Sequence, residues 1–422
     1  MGNRDFMNNN TVKYIKKFLY VVLNFLLNCF LKPLHLLLKP VFKISHRFPA
    51  PTQRAWYKLH SHYLRFYGFP LGKPFVPETD NVIIFLPQMS WNNNMTQRPH
   101  HLPRAFARAG WTSVFITQDA ENDNVIGIKK IDTGLYLCSR VRLLRKIKNP
   151  WIYMNYTVNM YYLKYFKEFR FIYDYVDKLE IHTFFTKKMY EEHNRSLKIA
   201  KVVTATSDFL LDGIIKIRPD AILVPNAVFP DDFTLKNGAG IPPDMACITE
   251  QKKPIVGYYG IFSRWKIDYA LIHYAADHLP DYNFVLIGMD YDHSIQEYNW
   301  KKFPNIYLLG KKNYPELPAY AHCFDIALLP FLINDATKAI SPVKLFEFFA
   351  MNLPVVSTDV PEIRKYKPVL IARDPNDLIQ HIREAFRLKN DPAYLSAVQK
   401  ELALNTWDYR CETIIKQINK TQ

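Results

Sequence analysis

The sequence has few cysteines and lacks the short glycine motifs of the commonest nucleotide-binding enzymes. Its five cysteines are scattered along 422 residues, and no two of them form a CxxC pair. This pattern argues against a disulfide framework or a zinc site and fits a reducing cytosol. No GxGxxG opens a helix after a strand, and no GxxxxGK is followed by Ser or Thr. A dinucleotide enzyme or a P-loop ATPase therefore has no support.

The sequence also lacks an uninterrupted apolar run of about 20 residues, the length that a membrane-spanning helix requires. Apolar residues dominate from residue 18 to 42, but polar residues recur every three or four positions: Asn24, Asn28, Lys32, His35 and Lys39. This spacing places the polar residues on one face of a helix. We expect a helix lying in the plane of a membrane surface; packing on the protein body or on a second subunit is the alternative.

The positive charge is concentrated at the start of the chain. Residues 1–75 carry +11 of the total of +16, and all later residues together carry +5. A nucleic-acid-binding protein would carry this charge on its folded domains, so we expect no nucleic-acid partner. We expect instead an anionic membrane surface as partner, on the cytoplasmic face of the plasma membrane. Residues 139–148 carry five more positive charges; they predict a second membrane-facing flank or a solvated basic helix.

Two α/β units follow the basic extension. Short apolar strands, separated by helical patterns, are predicted at 82–86, 113–117, 151–153, 171–173, 202–205 and 222–225. Residues 236–253 are punctuated by Gly and Pro and predict a linker. The pattern then restarts, with strands at 255–260, 284–288, 306–309, 326–330 and 355–357. Continuous apolar strands alternating with helices are typical of parallel sheets covered on both faces. The prediction is two Rossmann-like domains, at 76–235 and 254–400.

The segment Ser341 to Glu347 carries the most specific chemistry. Ser341 is a suitable N-cap and Pro342 a suitable first helical residue. Lys344 and Glu347 are three residues apart, on one face of the predicted helix near its N-terminus. Backbone N–H groups and a lysine suit a diphosphate, and a carboxylate can accept hydrogen bonds from ribose hydroxyls. The alternative is an ordinary capped helix with a surface Lys/Glu pair.

This segment resembles the donor-site helix of GT-B-fold glycosyltransferases, of the retaining family-4 type found in bacterial surface-polysaccharide synthesis. The resemblance extends over roughly residues 80–420 and keeps the family's order of motifs. It implies a GT-B fold in which a C-terminal helix, within 401–422, returns to the first domain. It also implies a metal-independent, hexosyltransferase-like enzyme without a cofactor, which uses a nucleotide-sugar donor. The acceptor expected is a glycan, membrane-proximal or lipid-linked.

The resemblance also implies roles for residues of the second domain. Glu347 would hold the ribose, Lys344 would lie near the diphosphate, and Ser341 would contact the sugar. Gly260 and Arg264, which follow the first strand of this domain, would line the phosphate side.

Two further positions are assigned to the base of the nucleotide, and a third position differs from the usual residue of the family. Gly310 and Lys311 would lie near the base of the nucleotide. The family often has a second glutamate eight residues before the ribose-binding one, and this chain has Ala339 there.

In the first domain, Arg98 opens a helix after a strand and is expected to face the cleft. There it could stabilise the leaving diphosphate, where charge develops in the transition state; a helix residue without a ligand is the alternative. Asp174 and Asp177 follow another strand, and both could reach the cleft; the family analogy supports Asp177 there, and a solvated loop position is the alternative. His100, His101 and His182 have a weaker claim, since lone histidines are more often structural.

Other functions remain open at the level of sequence. The D-x-D at 290–292 is the metal-nucleotide motif of the other glycosyltransferase fold, but three-residue patterns are common by chance. A sugar-nucleotide epimerase of the same fold is one alternative. A catalytically silent, membrane-associated scaffold is another, since a fold alone does not imply activity.

Overall fold

The computed structural model describes residues 74–93, 95–181, 185–235 and 240–421. The predicted amphipathic helix, and all but the last two residues of the predicted basic extension, lie outside them, as does His182. The described residues form two parallel-sheet domains, so the predicted fold class is confirmed. No helix among these residues is long and apolar enough to cross a membrane.

The first domain contains an eight-stranded sheet in the order β3-β4-β2-β1-β5-β6-β7-β8. Its strands are β1 (Val82–Phe85), β2 (Thr112–Ile116), β3 (Ile128–Asp132), β4 (Leu135–Cys138), β5 (Trp151–Met154), β6 (Arg170–Tyr175), β7 (Val202–Ala205) and β8 (Ile222–Leu223). Its helices are α1 (Arg98–Arg108), α2 (Lys187–Ile199) and α3 (Asp208–Ile214). Successive residues of β1 enter different clusters, with Ile83 on one face of the sheet and Ile84 on the other. Both faces are therefore covered, which explains why the strands are continuously apolar.

The second domain contains a six-stranded parallel sheet in the order β11-β10-β9-β12-β13-β14. Its strands are β9 (Ile255–Phe262), β10 (Asn283–Asp290), β11 (Ile306–Gly310), β12 (Ile326–Leu329), β13 (Val355–Thr358) and β14 (Leu370–Ala372). The helices after α3 are α4 (Pro243–Thr249), α5 (Tyr269–His278), α6 (Leu317–Ala321), α7 (Val343–Ala350), α8 (Pro375–Leu388), α9 (Pro392–Ala403) and α10 (Trp407–Lys420).

The C-terminal helix α10 packs on the first domain, although it follows the second in sequence. Trp407, Cys411, Ile414 and Ile418 are buried in the same apolar cluster as β1 and α1. The Trp407 ring stacks on the His101 ring of α1, with 5.0 Å between the ring centres. The last helix thus completes the core of the first domain.

Several local features differ from the sequence-based expectation, among them β14, which was not predicted. Strands β3 and β4 form an antiparallel pair at the edge of the first sheet, which was not predicted. Helix α4 lies within the predicted linker, where Met245 and Ile248 are buried. The predicted basic helix at 139–148 is a single 3-10 turn, Val141–Leu143, in an otherwise irregular segment.

Candidate active site

A cleft with a cavity of about 310 Å³ lies between the two domains. On one side it is lined by the ends of β9 and β10 and the start of α7, and on the other by loops after β1, β5 and β6. Parallel strands of an open sheet collect ligand-binding groups at their carboxyl ends. The cleft is therefore where the topology of both sheets favours a binding site.

Two glycines bring the backbone of the second domain close to this cleft. Gly260 on β9 and Gly288 on β10 are partners in the parallel sheet, and both line the cleft. Their φ angles are +154° and +156°, values that side chains disfavour. A Cβ atom on Gly260 would collide with the Lys344 side chain and with the Tyr258 hydroxyl. The lysine therefore lies directly over the glycine, and both belong to one surface.

The N-terminus of α7 opens into the cleft without a side-chain cap. The helix begins at Val343, and Pro342 is its N-cap residue. The prediction that Ser341 caps the helix is wrong, because its hydroxyl instead accepts a hydrogen bond from the backbone N–H of Asn226, at 2.9 Å. The Asn226 amide also donates to the Ser341 carbonyl at 2.7 Å. Ser341 thus links the domains at the cleft, and the first N–H groups of α7 are left for another acceptor.

Lys344 and Glu347 both line the cleft from the first turns of α7. Glu347 is only 4% exposed. Burial raises the pKa of Glu347, and the nearby Lys344 ammonium opposes that effect. Burial likewise lowers the pKa of Lys344, and Glu347 opposes it. The pair places a positive and a negative group side by side at a helix N-terminus, which suits a ligand with a phosphate and hydroxyl groups.

A second cation, Lys266, was missed at the level of sequence. It lies in the turn after β9, lines the cleft, and has its ammonium 5.3 Å from the centre of the Phe331 ring. Burial, and then the Lys344 ammonium, lower the pKa of Lys266 to about 7, while Asp177 opposes the shift. The loop is fixed because the Lys266 N–H donates to the Ser263 carbonyl at 3.0 Å. No motif marks this lysine in the sequence, since only the turn carries it into the cleft.

Arg264, two residues earlier, is not among the residues that line the cleft. Its side chain is 64% exposed and forms an ion pair with Glu297. Its backbone N–H donates to Asp292 at 2.9 Å. Among the cations of this loop, the one directed to the cleft is therefore Lys266 and not Arg264. Between them, Trp265 lines the cleft and is 44% exposed, so it offers an aromatic surface at the cleft wall.

The structure separates the two residues predicted near the base. Lys311 lines the cleft, and Gly310 does not. Gly310 ends β11 with a φ of +65°, and this left-handed residue turns the chain so that Lys311 follows at the cleft. Lys312 also lines the cleft, and its ammonium forms an ion pair with Asp244 at 2.6 Å.

Arg98 lines the cleft from the first domain but is held in a buried network. It is 3% exposed, and its Nε and Nη2 atoms donate to the two oxygens of Asp174 at 2.7 and 3.0 Å. Thr204 and Tyr153 also donate to Asp174. Although burial acts against it, the Asp174 carboxylate raises the pKa of Arg98. Asp174, the other carboxylate considered from the sequence, thus fixes the guanidinium at the cleft wall.

Asp177 lines the cleft from the loop after β6. Lys266 of the opposite domain lines the same cleft, and the Asp177 charge opposes the lowering of the Lys266 pKa. The Ala339 position has a different environment, because this residue is 4% exposed and packs in an apolar cluster of the first domain. Ala339 therefore contributes to contact between the domains.

His100 and the D-x-D carboxylates have structural hydrogen-bond partners. His100 accepts a hydrogen bond from the Gln97 N–H at Nδ1, and its Nε2 lies 3.0 Å from the Ser90 carbonyl, so it supports the start of α1. The D-x-D carboxylates, Asp290 and Asp292, accept hydrogen bonds from the backbone N–H groups of Ile295 and Ser294 in the turn that follows β10, and Asp292 also accepts one from the Arg264 N–H. Within the described ranges, no cluster of three His, Cys, Asp or Glu side chains is arranged to hold a metal ion.

Comparisons with known proteins agree with this geometry. Residues 253–387 match the family model described as "Glycosyl transferases group 1". A stretch of 241 residues is 28% identical to TuaH of Bacillus subtilis, whose name assigns it to teichuronic acid biosynthesis as a glycosyltransferase. That match covers 54% of this chain and 57% of TuaH, so the chain spans little more than half of this curated relative.

Solved structures resemble the chain over a larger part of its length. Sucrose-phosphate synthase from Thermosynechococcus elongatus is 17% identical, with a TM-score of 0.59 over 81% of this chain and 99% of its own. HepE from Anabaena, solved in complex with UDP, is 13% identical, with a TM-score of 0.58 over 80% of this chain and 100% of its own. At these identities the structures show the fold, which is GT-B. Together the comparisons confirm the resemblance, predicted from the sequence, to GT-B glycosyltransferases of polysaccharide synthesis.

Proposed function

We propose that this chain, which has the GT-B fold and matches the group 1 glycosyl transferase family model over residues 253–387, transfers a sugar from a nucleoside-diphosphate donor to a glycan. The observation that carries the proposal is the start of α7. An uncapped helix N-terminus, Lys344 and buried Glu347 line a cleft beside Gly260. These groups match a diphosphate and a ribose in charge and in hydrogen-bonding capacity.

In the proposed complex, the diphosphate lies between Gly260 and the N-terminus of α7. Lys344 and Lys266 supply positive charge there, and the glycine lets the backbone approach the phosphate oxygens. Glu347 accepts hydrogen bonds from the ribose hydroxyls. Lys311 lies towards the base, as the family resemblance implies.

Transfer breaks the bond between the anomeric carbon and the terminal phosphate oxygen, so negative charge grows on the leaving diphosphate. Two ammonium groups and the dipole of α7 stabilise that charge in a site partly shielded from water. We propose that these groups make the reaction independent of a metal ion. Arg98 contributes a fixed positive charge on the opposite wall, although Asp174 offsets it.

The acceptor side is proposed to be the wall formed by the first domain. Gln88 and Asn155 line it and are hydrogen-bonded to one another at 2.6 Å. Paired amides offer further donors and acceptors to sugar hydroxyls, and Trp265 across the cleft offers a surface for stacking. We propose a glycan acceptor that is lipid-linked or close to the membrane, and transfer with retention of configuration.

The proposal is tested by comparing donor binding with transfer. Nucleoside diphosphates are screened for thermal stabilisation, since a ligand that binds the folded state raises its melting temperature. Lys344→Ala and Glu347→Ala should lose that stabilisation and lower transfer by orders of magnitude, with circular dichroism unchanged. Arg264→Ala, an exposed cation in the same domain, is the matched control and should retain both.

Two results would count against the assignment. Near-normal transfer by Lys344→Ala and Glu347→Ala would refute the placement of the donor. Binding of a nucleoside diphosphate by the wild-type protein, without transfer or donor hydrolysis with any glycan acceptor tried, would favour a catalytically silent protein.

A further inference from the structure

A nine-residue 3-10 helix on the first domain, Thr157–Tyr165, exposes one stripe of side chains. A 3-10 helix has three residues per turn, so side chains three positions apart lie above one another. Val158 and Tyr161 are 43% and 52% exposed, and Lys164 is exposed in line with them. Thr157, Met160 and Leu163 face the interior with the same spacing. The stripe therefore presents an aliphatic, an aromatic and a basic side chain in one row.

In the basic segment 139–148, the apolar side chains are likewise buried and most of the basic ones are exposed. Val141, Leu143, Leu144 and Ile147 are buried. Arg142, Arg145, Lys146 and Lys148 are exposed. The apolar residues expected to face a membrane thus belong to the protein core, and the surface of this segment is basic.

The stripe and the basic segment belong to one face of the domain. The turn Val141–Leu143 packs against the 3-10 helix, and residues of both segments enter the same apolar cluster. Neither 139–148 nor 157–167 contains an acidic residue. We name this face, formed by the exposed residues Arg142, Arg145, Lys146, Lys148, Val158, Tyr161, Lys164 and Lys167, the basic–aromatic face.

The start of the described chain lies at this face. The Phe75 N–H donates to the Leu143 carbonyl at 3.1 Å, and the Phe75 ring meets the Tyr136 ring edge-on. The 73 residues before Pro74 carry the large positive charge and the apolar run noted in the sequence. A segment with the composition of a membrane-surface anchor is therefore joined to the domain beside a surface of matching chemistry.

We propose that the basic–aromatic face docks on a bilayer surface that contains anionic lipid. Lysines and arginines are attracted to anionic headgroups, and tyrosines favour the boundary between headgroups and acyl chains. The inference rests on the proposed function in one respect: docking would hold the cleft near a membrane-linked acceptor. Docking itself requires no donor and no catalysis, so it can be tested independently.

The experiment measures binding of the full chain to vesicles of phosphatidylcholine with 30% phosphatidylglycerol by co-sedimentation. Replacing Arg145, Lys146 and Lys148 together with Ala should weaken binding on the order of 100-fold at low salt, since each basic residue near the surface contributes about fivefold. The matched control replaces three exposed lysines of the second domain and α10: Lys301, Lys400 and Lys416. It removes the same charge and should bind within about threefold of wild type if the effect is local.

A second pair of variants tests the aromatic part of the face. Tyr161→Ala should weaken vesicle binding several-fold, whereas Tyr291→Ala, at a tyrosine that is 63% exposed in the second domain, should not. Equal losses in the face and control triple variants would overturn the proposal, as would a face triple variant that binds like wild type. A face triple variant that changes the oligomeric state but not vesicle binding would also overturn it and identify a contact between copies. Absence of glycosyl transfer in the wild-type protein and in all variants would refute the proposed function. The vesicle-binding result could still be interpreted.

Discussion

The charge of Lys266 should make donor binding sensitive to pH between 7 and 9. Burial and the Lys344 ammonium lower the pKa of Lys266 to about 7, and only the protonated form attracts a diphosphate. The protonated fraction of the free protein falls from about one half at pH 7 to about 1% at pH 9. The apparent Kd of a nucleoside diphosphate should therefore rise about 50-fold over this range if binding requires the ammonium.

Isothermal titration calorimetry measures this effect directly. Near pH 8, binding should take up close to one proton, which is detected by comparing buffers of different ionisation enthalpy. The ligand itself should contribute little to the measured proton uptake, because a terminal phosphate with a pKa of about 6 is already almost fully ionised near pH 8. Lys266→Arg keeps its charge and should bind with a weaker dependence on pH, while Lys266→Met should bind weakly and lose the part of the dependence that Lys266 contributes, leaving that of Lys344, whose pKa burial also lowers. An unchanged Kd of the wild-type protein from pH 7 to 9, or the same slope in Lys266→Met, would refute this role.

The remaining predictions concern the ribose, the glycine, the buried ion pair and metal dependence. Glu347→Gln should weaken nucleoside diphosphate binding about 10- to 100-fold, because it replaces a hydrogen bond to a charged group; titration with pyrophosphate, which lacks a ribose, should show little change. Gly260→Ala should reduce donor-induced thermal stabilisation, because its Cβ displaces the end of the Lys344 side chain and fills the space beside the backbone; an unchanged melting shift would contradict the close approach of the backbone. Arg98→Met should lower the free energy of unfolding by about 3–5 kcal/mol by leaving Asp174 unpaired, measured by urea denaturation, and a loss below about 1 kcal/mol would contradict the buried pair. Transfer should continue at the same rate in EDTA, and loss restored by a divalent cation would show that a metal takes part.

The sequence predicted the strands well because most of them are buried on both faces. Val82–Phe85 and Val202–Ala205 are continuous apolar runs, and each is buried throughout. Strand β3 was not predicted, and it lies at the sheet edge, where Lys129 and Lys130 are exposed and no continuous run forms. Strand β4 was also missed, although Leu135–Cys138 is apolar and buried throughout, so edge position explains only one strand of this antiparallel pair.

The site could be predicted in part, for a related reason. Helix α7 was placed within one residue, because its residue pattern is local. A turn decides whether Arg264 or Lys266 lines the cleft. In this turn the N–H groups of Lys266 and Ile267 both donate to the Ser263 carbonyl. No spacing rule predicts which side chain such a turn directs into the cleft. Ser341 was misassigned because its partner, Asn226, is 115 residues away.

The position of α10 has a consequence for how the protein is made. Trp407 and Ile418 belong to the core of the first domain, yet they are synthesised after the second domain. Until α10 has been synthesised, the sheet of the first domain still exposes the apolar surface that this helix will cover. Domains generally fold as units during synthesis, with the N-terminal one first, but here the first domain cannot complete its core until the second domain and α10 have been synthesised. A chain that terminates before Thr406 would therefore keep every residue that lines the cleft but expose apolar core surface of its first domain.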